Sequence, residues 1–316
     1  MFSIRSSVLS VFASFVSSFV SVRLARLLTV CGLLFTATTP ALTQVPPPEV
    51  EWERSFEVSG DNFGQSVKQS SDGGYVIVGI SWPLGFNIGL PDISMIRTDH
   101  FGNLLWAKSF GDEKEYEVGL WVEETREGDY IVAGTYEGSA LIIKITLLGD
   151  LVWRKELVGN SSQFNFVQQT ADGGYILAGS TFFQTAGFSD VYLVKVDSSV
   201  DLVWERKFGG VGYDLGSSVK GTGDGGYVVV GETESTVFRT RDVYLIKTDS
   251  DGNLLWEKTY GGEKHDYGYS VDTRDDGYVV AGQTQSFGAG GSDTYLISID
   301  HEGKLLWQAT FGGGRV

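Results

Sequence analysis

Aromatic side chains recur in five irregular segments of differing length, and they are the residues best suited to hold a ligand. The segments read ISWPLGFNIGLPD, TYEGSA, STFFQTAGFSD, ETESTVFRTRD and QTQSFGAGGSD. Aromatic rings beside carboxylates and hydroxyls can stack on sugar rings, so we predict a ligand-binding surface in these segments. The alternative is that the rings plug gaps inside the fold. The candidate binding residues are Trp82, Phe86, Phe182, Phe183, Phe188, Phe238, Arg239 and Phe287.

Groups suited to catalysis do not fall into a known motif. The histidines, His100, His265 and His301, are far apart, and no HExxH, GxSxG or phosphate-binding glycine loop occurs. The many carboxylates leave an acid–base pair for glycoside hydrolysis open, but the sequence singles out no two of them. We therefore predict that the protein is not an enzyme and has no catalytic residues, with a polysaccharide hydrolase as the alternative.

An acidic turn is the candidate metal site. Asp249 and Asp251, in the segment Asp-Ser-Asp-Gly, could supply oxygen ligands to calcium. The segment lacks the further acidic ligands of an EF-hand loop, and aspartates in turns commonly bond to their own backbone. We expect turn formation here and no cofactor, with calcium as the alternative. A second aspartate column is expected to cap loop backbone: Asp92, Asp190, Asp242 and Asp293.

The net charge of the chain excludes some classes of binding partner. Lysine and arginine number 24 against 40 aspartates and glutamates, so the net charge is −16 at pH 7. Such a chain repels nucleic acid and anionic membrane surfaces. Cations and neutral sugars remain suitable ligands, so we expect an extracellular glycan or protein as the partner and no nucleic acid.

Residues 1–44 differ from the rest of the chain in charge and in the distribution of apolar residues. They contain three arginines, no acidic residue, and two apolar runs over residues 8–22 and 27–37. Each run is shorter than the roughly 20 residues of a membrane-spanning helix. We predict a signal peptide over residues 1–44, a Pro-rich linker over 45–50, and a secreted or cell-surface protein without a membrane span in the mature chain. Cys31 is the single cysteine; Val30 departs from a lipoprotein signal, so lipidation of Cys31 stays open.

Tryptophan marks an internal repeat of about 50 residues. Six of the eight tryptophans stand 54, 47, 51, 52 and 51 residues apart, in a column that we interpret as structural. Each unit holds four short runs rich in Val, Ile, Tyr and Trp, which are typical of β-strands. Asp-Gly turns join the first and second runs. The column consists of Trp52, Trp106, Trp153, Trp204, Trp256 and Trp307.

The apolar pattern of the runs predicts how the units pack. The second run, as in YVVVG and YILAG, is apolar at consecutive positions and must be covered on both faces. The fourth run alternates and is expected to lie half exposed. This pattern predicts an all-β fold, a β-propeller of five complete four-stranded blades over residues 51–316. The blades are expected at about 57–110, 111–158, 159–209, 210–261 and 262–312.

Two stretches carry a resemblance to known repeats. YLISIDHEGKLLW resembles the blades of pyrroloquinoline-quinone-type propellers. GGYVVVGETES with DVYLIKTDSDGNLLW is similar to repeats of secreted bacterial and archaeal β-propeller proteins, many labelled lipoprotein or hypothetical. The resemblance implies a secreted or surface propeller. It does not extend to a quinone cofactor, because five repeats fall short of that family's eight blades and its vicinal cysteine pair is absent.

The repeat region does not begin and end at the boundaries of complete units. FGGGRV stops where other units continue, and an extra strand-like segment precedes the first unit. We expect either a fragment of a larger ring or a five-blade ring with a spare strand. The function predicted is a non-catalytic binding or interaction module at the cell surface. The alternatives are a hydrolase or quinoprotein-like enzyme, and a structural spacer of a larger surface protein.

Overall fold

The computed structural model describes residues 2–5, 50–58, 60–82, 89–111, 114–157, 162–182, 188–234 and 240–314, and they contain β-strands but no helix. No helix that could cross a membrane is therefore present in these ranges. The chain divides into two compact units, Phe2–Ser55 and Phe56–Val316. A two-stranded sheet pairs β1 (Phe2–Arg5) with β2 (Glu53–Phe56).

Five four-stranded antiparallel sheets follow one another along the second unit, and in each sheet the strands pair in chain order. The all-β propeller fold with five blades is thus confirmed. The first sheet comprises β3 (Asp61–Gln69), β4 (Tyr75–Trp82), β5 (Asp92–Thr98) and β6 (Leu104–Phe110); the second comprises β7 (Glu117–Glu124), β8 (Tyr130–Tyr136), β9 (Ser139–Ile145) and β10 (Leu151–Leu157).

The remaining three sheets repeat this arrangement. The third comprises β11 (Ser162–Gln169), β12 (Tyr175–Phe182), β13 (Ser189–Val196) and β14 (Leu202–Phe208). The fourth comprises β15 (Asp214–Gly221), β16 (Tyr227–Glu234), β17 (Arg241–Thr248) and β18 (Leu254–Tyr260). The fifth comprises β19 (Asp266–Arg274), β20 (Gly277–Thr284), β21 (Asp293–Ile299) and β22 (Leu305–Phe311).

The hydrophobic core lies between the sheets. Four clusters of buried residues join the first sheet to the second, the second to the third, the third to the fourth, and the fourth to the fifth. The second and third strands supply most of each cluster, and β13 is buried along its whole length. The fourth strands alternate between exposed and half-buried residues, as β14 does. The apolar inner strands of the second, third and fourth sheets are therefore shielded by a neighbouring sheet on both sides.

The tryptophan column fastens each sheet to the next. Trp153, Trp204 and Trp256 present their rings to tyrosines of the following sheet, at centroid distances of 6.5, 5.8 and 6.2 Å. Trp106 Nε1 donates to the carbonyl of Leu147 in the second sheet at 3.0 Å. Trp307, on the last sheet, is 42% exposed. Of the three ring contacts, the first two are edge-on and the third is tilted, and such ring contacts add to the free energy of burial.

Tight turns leave room for these indoles. Gly252 has a φ of +76°, and a methyl group added there would lie 2.8 Å from the Trp204 ring. Val200 occupies the equivalent turn of the third sheet at a φ of +63°, which is unusual for a β-branched residue. Its carbonyl accepts a hydrogen bond from Lys155 Nζ at 2.5 Å, and its side chain is buried in the cluster that contains Trp153. Burial and this bond hold the unfavourable backbone conformation in place.

Aspartates of the first hairpin turns act as expected for turn formers. Asp224 Oδ1 accepts from the amide of Gly226 at 3.0 Å, and Asp172 does the same for Gly174. Each also pairs with a lysine from the third strand of its sheet: Lys247 lies 2.9 Å from Asp224 and Lys195 lies 2.9 Å from Asp172. The turn thereby compensates the charge of a buried lysine.

Candidate functional site

The predicted binding residues occupy different environments. Trp82 and Phe182 end β4 and β12, whereas Phe86, Phe183, Phe238 and Arg239 lie outside the described residues. Phe188 stacks on Tyr213 at 4.9 Å and is 53% exposed. Phe287 packs on Tyr295 at 5.6 Å and joins the cluster between the fourth and fifth sheets. Phe287 therefore fills space between sheets, while Phe188 remains accessible to a ligand.

The candidate calcium residues form a turn. Asp249 Oδ1 accepts from the amides of Asp251 and Asn253 at 2.9 and 2.8 Å, and Asn253 Nδ2 donates to Asp249 Oδ2 at 2.9 Å. The side-chain bond from Asn253 is the main reason that the pKa of Asp249 is lowered. Among the described residues there is no group of three or more acidic, histidine or cysteine side chains placed to hold a metal ion. The observed hydrogen bonds account for the aspartate at this position.

The first strands of the sheets form the inner wall of the propeller. The first strands of consecutive sheets contact one another, so they form one continuous wall from β3 to β19. Each also has a β-bulge at the same place, which leaves one residue unpaired. Bulges redirect side chains and are common beside binding sites. The unpaired residues are Gln65, Leu120, Asn165, Ser217 and Tyr269.

Only the bulge of the fifth sheet, among these five, carries an aromatic side chain, and that ring belongs to a row. His265 and Tyr267 lie parallel within 15°, with centroids 6.0 Å apart; Tyr267 and Tyr269 lie within 10° at 6.3 Å. The three residues alternate along the start of β19 and so share one face. Tyr269 ends the row and is 52% exposed. We call these three residues the aromatic row.

Polar side chains border the aromatic row. The Tyr269 hydroxyl donates to Gln283 Oε1 at 2.9 Å, and Gln283 Nε2 donates in turn to Ser292 Oγ. The amide of Arg241 donates to His265 Nδ1 at 3.1 Å. Burial raises the pKa of Tyr269, and the nearby charge of Glu232 adds to the shift. At neutral pH Tyr269 therefore presents a neutral phenol with fixed hydrogen-bonding neighbours.

Acidic side chains meet in pairs where neighbouring sheets touch. A methyl group on Gly261 would lie 2.1 Å from Asp242 Oδ1 and 2.8 Å from Asp266 Oδ2, so the backbone fills the space between the two carboxylates. Asp266 Oδ2 also accepts from the amide of Gly262 at 2.9 Å and from Ser286 Oγ at 2.6 Å. Burial, followed by the charge of Asp266, raises the pKa of Asp242. The loop-capping hydrogen bonds therefore come from Asp266 at the start of β19, whereas Oδ1 of Asp242, a member of the predicted column, is buried without a hydrogen-bond partner.

The corresponding pair between the first and second sheets borders a cleft. Gly111 separates Asp92 from Glu117, and Glu117 Oε1 accepts from Arg154 at 2.5 Å. Burial raises the pKa of Glu117 despite the bond to Arg154. A cleft of about 250 Å³ opens beside Glu117 and Arg154, and we call it the first-interface cleft. It joins two charged side chains and the Ser109 hydroxyl to a wall that is otherwise apolar.

Both features lie outside the variable loops in which the sequence pattern predicted the ligand-binding residues. The aromatic row has a signal in the repeat: the first run reads DYGYS in the fifth unit, but DLGSS in the fourth and DNFGQS in the first. A tyrosine at the unpaired position sets the fifth unit apart. The cleft has no such local signal, because residues of two units form it.

Comparisons with known proteins give a fold and no family. No protein-family model and no curated protein matches the sequence. A protein of unknown function from Bacteroides caccae is similar in structure, with a TM-score of 0.52 and 15% identity over 83% of this chain and 86% of that chain. A candidate exo-β-1,3-galactanase from Bifidobacterium bifidum is 14% identical over 78% of this chain and 92% of that chain, with a TM-score of 0.48.

The prediction that the protein is not an enzyme requires correction. Structural neighbours include the galactanase and an endo-arabinase from Bacteroides thetaiotaomicron, which is 11% identical over 78% of this chain and 96% of that chain, with a TM-score of 0.42. The prediction was based on missing motifs, but enzymes occur among proteins of similar architecture. The missing motifs therefore give no argument against catalysis, and at these identities the likeness concerns the fold alone.

Proposed function

We propose that the protein is a secreted or cell-surface propeller that binds a neutral saccharide on the inner wall formed by β19. The aromatic row carries this proposal. Tyr269 offers a half-exposed ring at the end of three parallel rings, and β19 belongs to a sheet packed firmly on its neighbour. The apolar face of a sugar ring can cover such an aromatic ring while its hydroxyls reach the surrounding polar groups.

The charge and polarity around the row favour a neutral ligand. Gln283 and Ser292 offer uncharged hydrogen-bonding groups beside Tyr269, and Glu232 lies close enough to affect its pKa. The net charge of −16 opposes the approach of anions. Sugar hydroxyls can both donate and accept at such a surface without bringing charge into it.

A binding experiment with matched tyrosine variants tests the proposal. The probes are neutral oligosaccharides, namely β-1,3-galacto-oligosaccharides and arabino-oligosaccharides, titrated calorimetrically into the full chain. We expect Tyr269→Ala to lose at least about tenfold in affinity, equivalent to about 1.4 kcal/mol. Tyr116→Ala is the control, because Tyr116 is also exposed but lies outside the aromatic row.

Two outcomes would contradict the proposed site. One is that none of the oligosaccharides binds the wild-type chain. The other is that Tyr269→Ala binds as well as the wild type. Reducing-end release in the same samples measures whether a bound sugar is also cleaved.

A further inference from the structure

The first-interface cleft coincides with a break in the repeat. In the third, fourth and fifth sheets, a tyrosine on the third strand donates its hydroxyl to the residue that follows the column tryptophan. The pairs are Tyr192 with Glu205, Tyr244 with Glu257, and Tyr295 with Gln308, the last at 2.7 Å. Each of these tyrosines lies in the cluster between its sheet and the preceding one. A phenol ring is thus a standard component of these interfaces.

The second sheet lacks this ring. Leu141 stands at the tyrosine position of β9, and Arg154 stands at the position of Glu257 in β10, as the equivalent strand registers show. Leu141 is buried in the cluster between the first and second sheets, as the tyrosines are in theirs. Arg154 donates to Glu117, and its guanidinium lies over the ring of Tyr136 at 4.2 Å from the centroid, so it accepts no hydrogen bond of the kind that Glu257 accepts from Tyr244. The interface with this substitution is the one that contains the cleft.

The cleft is apolar on its walls and polar at one place. Its apolar side chains are Ile93, Phe110, Ile143 and Leu151. A polyhydroxylated ligand would leave hydroxyls unpaired against these walls, at a cost of roughly 1–3 kcal/mol each. An aromatic ring with a single polar group would leave no hydroxyl unpaired against these walls. The volume of about 250 Å³ lies just below the range of roughly 300–1,000 Å³ for drug-sized ligands, which fits one small ring.

The polar part of the cleft suits a hydroxyl. Glu117 is 1% exposed and offers a carboxylate acceptor, while Arg154, 29% exposed, carries further N–H donors. The Ser109 hydroxyl also lines the cleft and donates to Asp92 Oδ2 at 3.3 Å. A phenolic hydroxyl can donate to Glu117 and accept from Arg154. Such a bond to a charged group strengthens recognition.

We propose that the first-interface cleft is a binding site for a small neutral phenol, which takes the place of the tyrosine ring that the other interfaces build in. The site is separate from the aromatic row. Residues of both sheets contact the ligand, so binding also stabilises the first interface.

The test uses p-cresol, the tyrosine side chain without its backbone, titrated into the full chain and followed by ¹⁵N–¹H NMR. We expect saturable shifts of the amides around Glu117 and Arg154, and a rise in Tm with p-cresol concentration. Toluene, which lacks the hydroxyl, is expected to bind about tenfold more weakly because the bond to the charged pair is lost.

Variants distinguish p-cresol binding in the cleft from p-cresol binding at other apolar sites. Glu117→Gln is expected to weaken p-cresol binding about tenfold. Asp214→Asn is the control, because Asp214 holds the equivalent position at the start of β15 and does not line the cleft. The double variant Leu141→Tyr with Arg154→Glu restores the repeat and is expected to abolish binding while raising the Tm of the free protein.

The proposal is overturned if p-cresol causes no saturable shift up to its solubility limit, or if the shifts map away from the cleft. It is also overturned if Glu117→Gln and Asp214→Asn bind p-cresol equally well. Because no saccharide is involved, these outcomes do not depend on the function proposed for the aromatic row.

Discussion

A single indole can join two sheets through several contacts at once. Trp256 Nε1 donates to the carbonyl of His301 at 3.1 Å, and its ring contacts Tyr278 with the two ring planes tilted by 55°. Gly303, at a φ of +79°, brings the backbone of the next sheet against the same ring. Trp307 occupies the same column in the fifth sheet but is 42% exposed. Among the described residues, Trp256 packs on a buried cluster shared with the following sheet and Trp307 packs on none, so the two compare the same side chain in two environments.

Removing the indole should cost stability only where it reaches another sheet. We expect Trp256→Ala to lower the free energy of unfolding by about 2–4 kcal/mol, near the lower end of values for buried aromatic residues because Trp256 is half-buried. Trp307→Ala should lower it by less than about 1 kcal/mol. Urea unfolding of both variants measures the difference, and equal losses would contradict the role assigned to Trp256.

The pairing of a turn aspartate with a buried lysine makes the free energy of unfolding depend on pH under acidic conditions. Burial raises the pKa of Asp224, but hydrogen bonds from Thr222, Lys247 and Gly226 outweigh it and bring the pKa to about 2. Because the folded pKa lies below the ordinary value of 3.8, the pair stabilises the protein above that value. The contribution is lost as the pH falls from about 4 to about 2.

We therefore expect Asp224→Asn to be less stable than the wild type at pH 7 and nearly as stable at pH 2. Asp276→Asn is the control: Asp276 stands in the equivalent turn of the fifth sheet, where Ser298 replaces the buried lysine. Its effect should be small at both pH values. Parallel stability curves for wild type and Asp224→Asn between pH 7 and pH 2 would refute the assignment.

At the scale of elements, the bulge in each first strand depends on a glycine in the second strand. A methyl group on Gly231 would lie 1.8 Å from the carbonyl oxygen of Leu215, opposite the bulge of β15. A methyl group on Gly179 or Gly282 would likewise lie 1.9 Å from a carbonyl oxygen of the first strand. The glycine that ends each run such as YVVVG is therefore required by close approach of two strands.

Substitution of these glycines tests that requirement. We expect Gly231→Ala to cost about 3 kcal/mol or more, since backbone must move to admit the methyl group. Gly221→Ala is the matched control in the same sheet, because no atom lies within 4 Å of the added methyl group. It should change stability by about 0.5 kcal/mol or less. Thermal unfolding compares the two, and a similar loss in both would show that the bulge adapts.

The strands could be predicted from the sequence because their signals are local. Asp224-Gly225 and Asp276-Gly277 mark hairpin turns, and consecutive apolar residues such as Val228–Val230 mark strands covered on both faces. The bulges could not be predicted, since the extra residue shows only against its partner strand. The candidate sites depend on these non-local features. Tyr269 is set by a bulge, and the cleft is lined by side chains of two different sheets, such as Phe110 and Arg154.

The whole unit is a series of sheets in which each contacts its neighbours. In the described residues, the buried clusters join consecutive sheets, and none joins the fifth to the first. The far face of the fifth sheet is less buried: Leu296 is half-buried and Thr294 exposed, whereas Leu245 and Val243 are fully buried in the fourth. Stability in such a series is distributed along the chain.

Hydrogen exchange should reveal this distribution. We expect amides of β12 and β13 to exchange at least about tenfold more slowly than those of β20 and β21, because local opening of the less buried sheet requires less free energy. Exchange of the native protein, measured by mass spectrometry on peptides, gives the comparison. Uniform protection across the third and fifth sheets would contradict it.

The hydrogen bonds of Trp106 and Trp256 both run toward a sheet that comes later in the chain. A ribosome consequently makes each indole before the carbonyl that it binds. The carbonyls follow the indoles by 41 and 45 residues, so at about 5–20 residues added per second the delay is roughly 2–9 s. During that interval the most recently synthesised sheet exposes apolar surface that the next sheet will later cover. The part of the nascent chain that needs chaperone protection therefore shifts toward the C-terminus as translation proceeds.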